Sequence, residues 1–132
     1  MAGHSQGSTT RLVIDTLGNV GVGTNAPTAV IDVDGTYKLG ANGTINTALI
    51  KDTVSINVGS VPANGELDVT VALANATVNG AVSVSPSADL DSGLIIAWAR
   101  VLGAGVIKTR YRNLTGVIIN PVAINYYISV VQ

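Results

Sequence analysis

The residues able to do chemistry are few, and their spacing is poor for catalysis. His4 is the only histidine in the 132-residue chain, and it lies in a Gly/Ser/Thr-rich stretch, Met1 to Thr10. No Ser-His-Asp or Cys-His relay can be built around it. Cysteine is absent. That removes a thiolate nucleophile, a disulfide framework and a Cys-based metal site together. Carboxylates pair at Asp32/Asp34 and at Asp89/Asp91. Two acids at i, i+2 suit a Ca²⁺ loop or, in principle, a glycosidase pair. Yet Ca²⁺ asks for about six or more oxygens, and neither loop supplies a dense set. Asp89-Leu90-Asp91-Ser92-Gly93 has the composition of a plain turn. The expectation is a protein with no catalytic residue, no metal and no cofactor, hence not an enzyme.

Binding chemistry has more material. Four of the seven cations are Arg100, Lys108, Arg110 and Arg112. The last three alternate along one run, so they share one strand face, opposite Ile107, Thr109 and Tyr111. Guanidinium groups in such a strip grip carboxylates and phosphates bidentately, which suits an anionic surface glycan. The plainer alternative is that they pair with Glu66, Asp68 or a neighbouring subunit. Trp98 and Tyr127 are two further aromatic candidates for docking a ligand. Gly18-x-x-Gly21-x-Gly23 is glycine-rich, but it lacks the spacing of a dinucleotide or phosphate loop and no Lys follows it. Close packing of backbones at a shared axis explains such glycines better.

The elements holding these residues read as strands throughout. Hydrophobic residues make up 47% of the chain, with no Phe and a single Trp. The remainder is mostly Val, Ile, Leu and Ala, which favour a pleated, half-buried surface. No long window carries an apolar face at helical spacing. Charged residues are only 11%, well short of the roughly 25% usual in a globular chain. A chain so poor in charge hides part of its surface against copies of itself. A net charge of −1 leaves no overall footprint for nucleic acid. No stretch approaches the roughly 20 apolar residues of a membrane span. Met1 to Thr10 lacks the basic and apolar regions of a signal peptide, so the expected route out of the cell is release within a virus particle.

Three zones follow from the pattern. Residues 1–10 read as disordered. Residues 11–52 hold short aliphatic bursts, Leu12-Val13-Ile14, Val20-Gly21-Val22 and Val30 to Val33, split by turn signals, with a linker over Ala41 to Leu49. Short hairpins of this kind are marginal alone. They become stable if several chains wrap together around a common core. Residues 53–132 alternate cleanly, as in Leu67-Val69-Val71-Leu73 and Ile124-Tyr126-Ile128-Val130. Leu94 to Val101 and Val106 to Arg112 flank Leu102-Gly103-Ala104-Gly105, a hairpin signal. Strict alternation along Leu94 to Val101 places Ile95, Ala97, Ala99 and Val101 on one face and Leu94, Ile96, Trp98 and Arg100 on the other. Both faces are then largely apolar, which calls for a core on one side and a neighbouring subunit on the other. Pro62 to Gly65 and Ser85 to Asp89 read as loops.

Asp15-Thr16-Leu17-Gly18-Asn19-Val20-Gly21-Val22-Gly23-Thr24, then Pro27, then Val30-Ile31-Asp32-Val33-Asp34-Gly35, resembles the D-x-x-G-N-V-G-I-G-T-x-x-P…L-D-V-x-G segment of many phage tail fibres and bacterial surface proteins. Val22 and Ile31 stand where Ile and Leu are common. Many proteins with that segment continue into a self-cleaving chaperone, and this chain does not. Its later part, Val61-Pro62-Ala63-Asn64 with Val69-Thr70-Val71, Val82 to Pro86 and Asn113-Leu114-Thr115-Gly116, resembles β-sandwich head domains of phage structural proteins. The resemblance implies an intertwined β neck followed by a head, assembled as a homotrimer, with Val13, Val20, Val22, Ile31 and Val33 in the neck core. It implies an all-β chain: a neck over 11–52 and a small antiparallel, jelly-roll-like β-sandwich over 53–132. The expected role is a structural part of a virion fibre or spike, on tail or capsid, at the particle surface. Its expected partners are sister chains, other virion proteins and a host-surface glycan, with a carbohydrate-binding module or capsid decoration protein as the alternative. Trp98, Arg100, Lys108, Arg110, Arg112 and Tyr127 are the candidate ligand or interface residues. Nucleic-acid binding and membrane insertion are not expected.

Overall fold

A computed structural model describes residues 12–132. His4 and the expectation of disorder over 1–10 lie outside the described residues. Every regular element described is a strand, in the order β1 (Leu12–Ile14), β2 (Val20–Val22), β3 (Ile31–Val33), β4 (Tyr37–Lys38), β5 (Ile45–Asn46), β6 (Leu49–Ile56), β7 (Glu66–Ala72), β8 (Ala81–Pro86), β9 (Leu94–Gly103), β10 (Val106–Asn113) and β11 (Ile124–Val131). The described residues divide into two compact units, 12–47 and 48–132.

The first unit holds a three-stranded sheet of order β1-β2-β3 and the small β4-β5 hairpin. β1 and β2 run antiparallel, and β2 and β3 run parallel. The hairpin falls where the sequence suggested a linker, because Tyr37 pairs with Asn46 and Lys38 with Ile45. Asp15 ties the β1–β2 turn. Its Oδ1 accepts the backbone N–H groups of Leu17 and Asn19, both at 2.8 Å. Asp32 does the same for the loop before β3, taking the N–H and the hydroxyl of Thr28 at 2.8 and 2.9 Å. Both carboxyls are held below the usual carboxylate range by these bonds.

The second unit contains two antiparallel three-stranded sheets, β7-β10-β9 and β6-β11-β8. β11 lies between β6 and β8, and β10 lies between β7 and β9. It begins at Ala48 rather than Thr53, because Leu49 to Asp52 extend β6 along the end of β11, up to Leu49 opposite Val131. The inner faces meet in one core that includes Ile56, Val61, Leu73, Val101, Ile107, Ile128 and Val130. Tyr111 of β10 and Tyr126 of β11 meet edge to face across it, ring centroids 6.1 Å apart. Burial pushes both hydroxyls' pKa values up. Pro86 lies within β8 rather than in a loop. This is tolerable because β8 is an edge strand.

β9 departs from strict alternation. Arg110 pairs with Trp98, but Tyr111 pairs with Ile96, so Ala97 is an extra residue opposite that step. A bulge of this kind reverses the parity of the strand. Leu94, Ile96, Ala99 and Val101 therefore all turn inward, and Ile95, Trp98 and Arg100 turn outward. The two apolar faces inferred from the sequence reduce to one buried face and one mixed outer face.

Candidate functional site

Three surfaces carry the candidate residues. The first is one face of the β1-β2-β3 sheet. Its ladder aligns Leu12, Val22 and Val33 in one row and Ile14, Val20 and Ile31 in another. Partners directly opposite in a ladder share a face. The six side chains therefore form one continuous aliphatic plate. It is largely uncovered at its edges, where Ile14 is 70% exposed and Ile31 69%, and half-buried around Val20. The row between carries Val13, Gly21 and Asp32 on the opposite face. Of the five residues expected in a neck core, Val20, Val22, Ile31 and Val33 come together, and Val13 points the other way. Leu12 and Ile14 complete the set; the pairing register identifies them, because neighbouring bursts in one sheet line up at matching parity.

The glycines of this sheet have a local cause. A Cβ on Gly21 would stand 2.6 Å from the carbonyl oxygen of Thr24 and 3.6 Å from Pro27 Cβ. The chain's own Thr24–Pro27 loop thus lies over the face opposite the plate. Gly23 adopts φ +80°, the left-handed region that favours glycine. Packing at a shared axis is not what Gly21 is shaped for; it admits its own loop.

The second surface is the outer face of β7-β10-β9. Glu66 and Asp68 of β7 lie beside Arg112 and Arg110 of β10. Arg110 grips Asp68 bidentately, Nε to Oδ1 at 2.6 Å and Nη2 to Oδ2 at 2.9 Å. Lys108 Nζ reaches Asp68 Oδ2 at 3.0 Å. Glu66 takes Arg110 Nη1 at 3.1 Å and Arg112 Nη1 at 3.2 Å. Arg110 and Lys108 hold the Asp68 carboxyl far below the ordinary carboxylate range. On its other side Arg110 lies over the Trp98 ring, 4.8 Å from the centroid. Three cations are therefore paired with two carboxylates of the same sheet. Arg100, beside Lys108 on β9, has no ion pair among the described residues. The strip is a structural network spanning three strands, in which Lys108, Arg110 and Arg112 are each tied to a carboxylate of β7 while Arg100 is not.

The third surface is the outer face of β6-β11-β8. Tyr127 sits on the central strand between Thr53 and Ser85, and the next row is Lys51, Ser129 and Ser83. Leu49, Lys51, Ser83, Ser85, Tyr127 and Ser129 line an open concavity of about 350 Å³. Tyr127 is 47% exposed within it. The serines carried no sequence signal as a group. They come from two strands far apart in the chain, and only the pairing of β8 with β11 joins them.

The Asp89/Asp91 pair lines a space of only about 20 Å³ beside Pro121 and Tyr126. Among the described residues no group of three or more His, Cys, Asp or Glu side chains is placed to hold a metal. No helix among the described residues is long and apolar enough to cross a membrane. No family model, no curated protein and no solved structure matches the chain.

Proposed function

We propose that this protein is a non-enzymatic structural component of a bacteriophage fibre or spike, in which three copies join through residues 12–47 and present residues 48–132 as attachment heads. The aliphatic plate of Leu12, Ile14, Val20, Val22, Ile31 and Val33 carries this reading. Burying such a side chain contributes roughly 1.5–3 kcal/mol. With Val22 and Val33 already more than half covered and Val20 more so, the six leave roughly 5 kcal/mol per chain unused. Exposed apolar patches of this continuity mark interaction surfaces. Sister chains are the fitting occupants, since the three plates are identical and cyclic symmetry lets each cover the others. The likeness of Asp15 to Gly35 to phage neck segments selects three as the number and a virion as the setting. The second unit, with its complete core and jelly-roll-like winding, serves as the head, on tail or capsid.

Light scattering at micromolar concentration tests this. The expected mass is three times the 13.4 kDa chain. A single-chain mass for the full-length protein would remove the reading.

A further inference from the structure

The outer faces of the two head sheets differ in what their polar groups already do. On β7-β10-β9 Lys108, Arg110 and Arg112 are paired with Glu66 and Asp68. On β6-β11-β8 the hydroxyls of Ser83, Ser85 and Ser129 make no hydrogen bond to a described residue, and they surround an exposed Tyr127. We propose that this concavity binds a carboxylated sugar of a surface polysaccharide. The inference rests on the head being an attachment module, and it names the ligand class and the residues.

The size is right, since about 350 Å³ falls within the roughly 300–1,000 Å³ of small-molecule sites. The chemistry is more selective. A pyranose has apolar C–H faces and a rim of hydroxyls. The Tyr127 ring supplies an apolar platform at the centre of the sheet, with its hydroxyl still free to bond. Serine hydroxyls donate and accept, so three of them around the ring suit a polyhydroxylated rim. Lys51 is the one charged residue in the lining, and no carboxylate faces it. Asp52 follows Lys51 on β6 and so points to the opposite side of the sheet. The local field is therefore positive and favours a sugar acid over a neutral sugar.

A protein partner fits this face less well. Dry burial would strand the serine hydroxyls, at roughly 1–3 kcal/mol each if left unpaired. The aliphatic plate on residues 12–33 shows what a face built for dry contact looks like in this chain. Single-stranded nucleic acid asks for several cations along a groove, and there is one.

The test is calorimetric titration of the full-length oligomer with a galacturonic acid tetramer, with maltotetraose as the neutral comparison and light scattering in parallel. The acidic tetramer is expected to bind at millimolar concentration or below, more tightly at low salt. Tyr127→Ala should weaken binding about tenfold and leave the mass unchanged. Lys51→Gln should abolish the preference for the acidic sugar. Arg112→Ala, on the other sheet, should change nothing. Absence of binding by either sugar, with the oligomer mass intact, would overturn the sugar site and leave the fibre reading standing. A Tyr127→Ala variant that falls apart would make the concavity a subunit contact. A Lys51→Gln variant that keeps full acidic preference would remove the charge argument, and the proposal with it.

Discussion

Residues 12–47 and residues 48–132 are written in the same aliphatic vocabulary, yet the two units bury it differently. In the first, no described residue except Gly21 is buried, and Leu12, Ile14, Val22, Val30, Ile31 and Val33 all stand exposed. In the second, thirteen hydrophobic residues form a closed core. Length explains the difference. Strands of two or three residues make two small sheets that bury no side chain fully. Strands of six to ten residues span two sheets that cover each other. The same kinds of side chain thus form a private interior in one unit and an exposed plate in the other.

The contrast breaks most visibly under mutation of the plate. A double Ile14→Ser, Ile31→Ser variant is expected to lose its oligomer mass entirely. Hydrogen exchange should become fast across residues 12–47 and stay slow across β11. Uniform slow exchange in both units would mean that the first unit is stable without partners, and the comparison would fail.

Truncation in the head core comes next in size. Ile128 is fully buried on the central strand β11. Ile128→Ala is expected to cost about 2–5 kcal/mol of head stability in denaturant titration, as a cavity in a packed core does. The oligomer mass should be unchanged under native conditions. A cost below about 1 kcal/mol would show that the head interior is not packed as described.

The smallest expected effect concerns pH. Asp68 carries a folded-state pKa well below its ordinary value of 3.8, held there by Arg110 and Lys108. Its contribution to stability is therefore complete above that ordinary value and is lost as pH falls through the folded value. Asp68→Asn should flatten the acid limb of the head's stability profile below about pH 4. Because the network is partly exposed, added salt should weaken the wild-type advantage. An acid limb identical in the two proteins would mean that the ion pairs form only weakly in solution.

Much of the fold was legible residue by residue. Alternation in Leu67-Val69-Val71 and in Ile124-Tyr126-Ile128-Val130 marked β7 and β11 correctly, and the glycines around Ala104 marked the β9–β10 turn. The expectation for β9 failed because a bulge has no period. Ala97 shifts every later side chain by one face, and nothing local announces it. The basic strip was visible as a spacing, but whether it was free or paired depended on β7 lying next to β10. The Tyr127 concavity was half visible: the aromatic stood out, while its serines did not.

The sequence by itself settled that the chain is built of strands, that it lacks cysteine and holds a single histidine, and that its aliphatic residues exceed its charges. These follow from residue type and from a two-residue period, both of which are local. Only the tertiary structure decided which strands are neighbours, which way β9 faces after its bulge, and that six aliphatic side chains of the first unit lie on one side of a sheet. Those facts depend on hydrogen-bonded register between segments distant in sequence, and a one-residue change in that register moves every side chain to the other face.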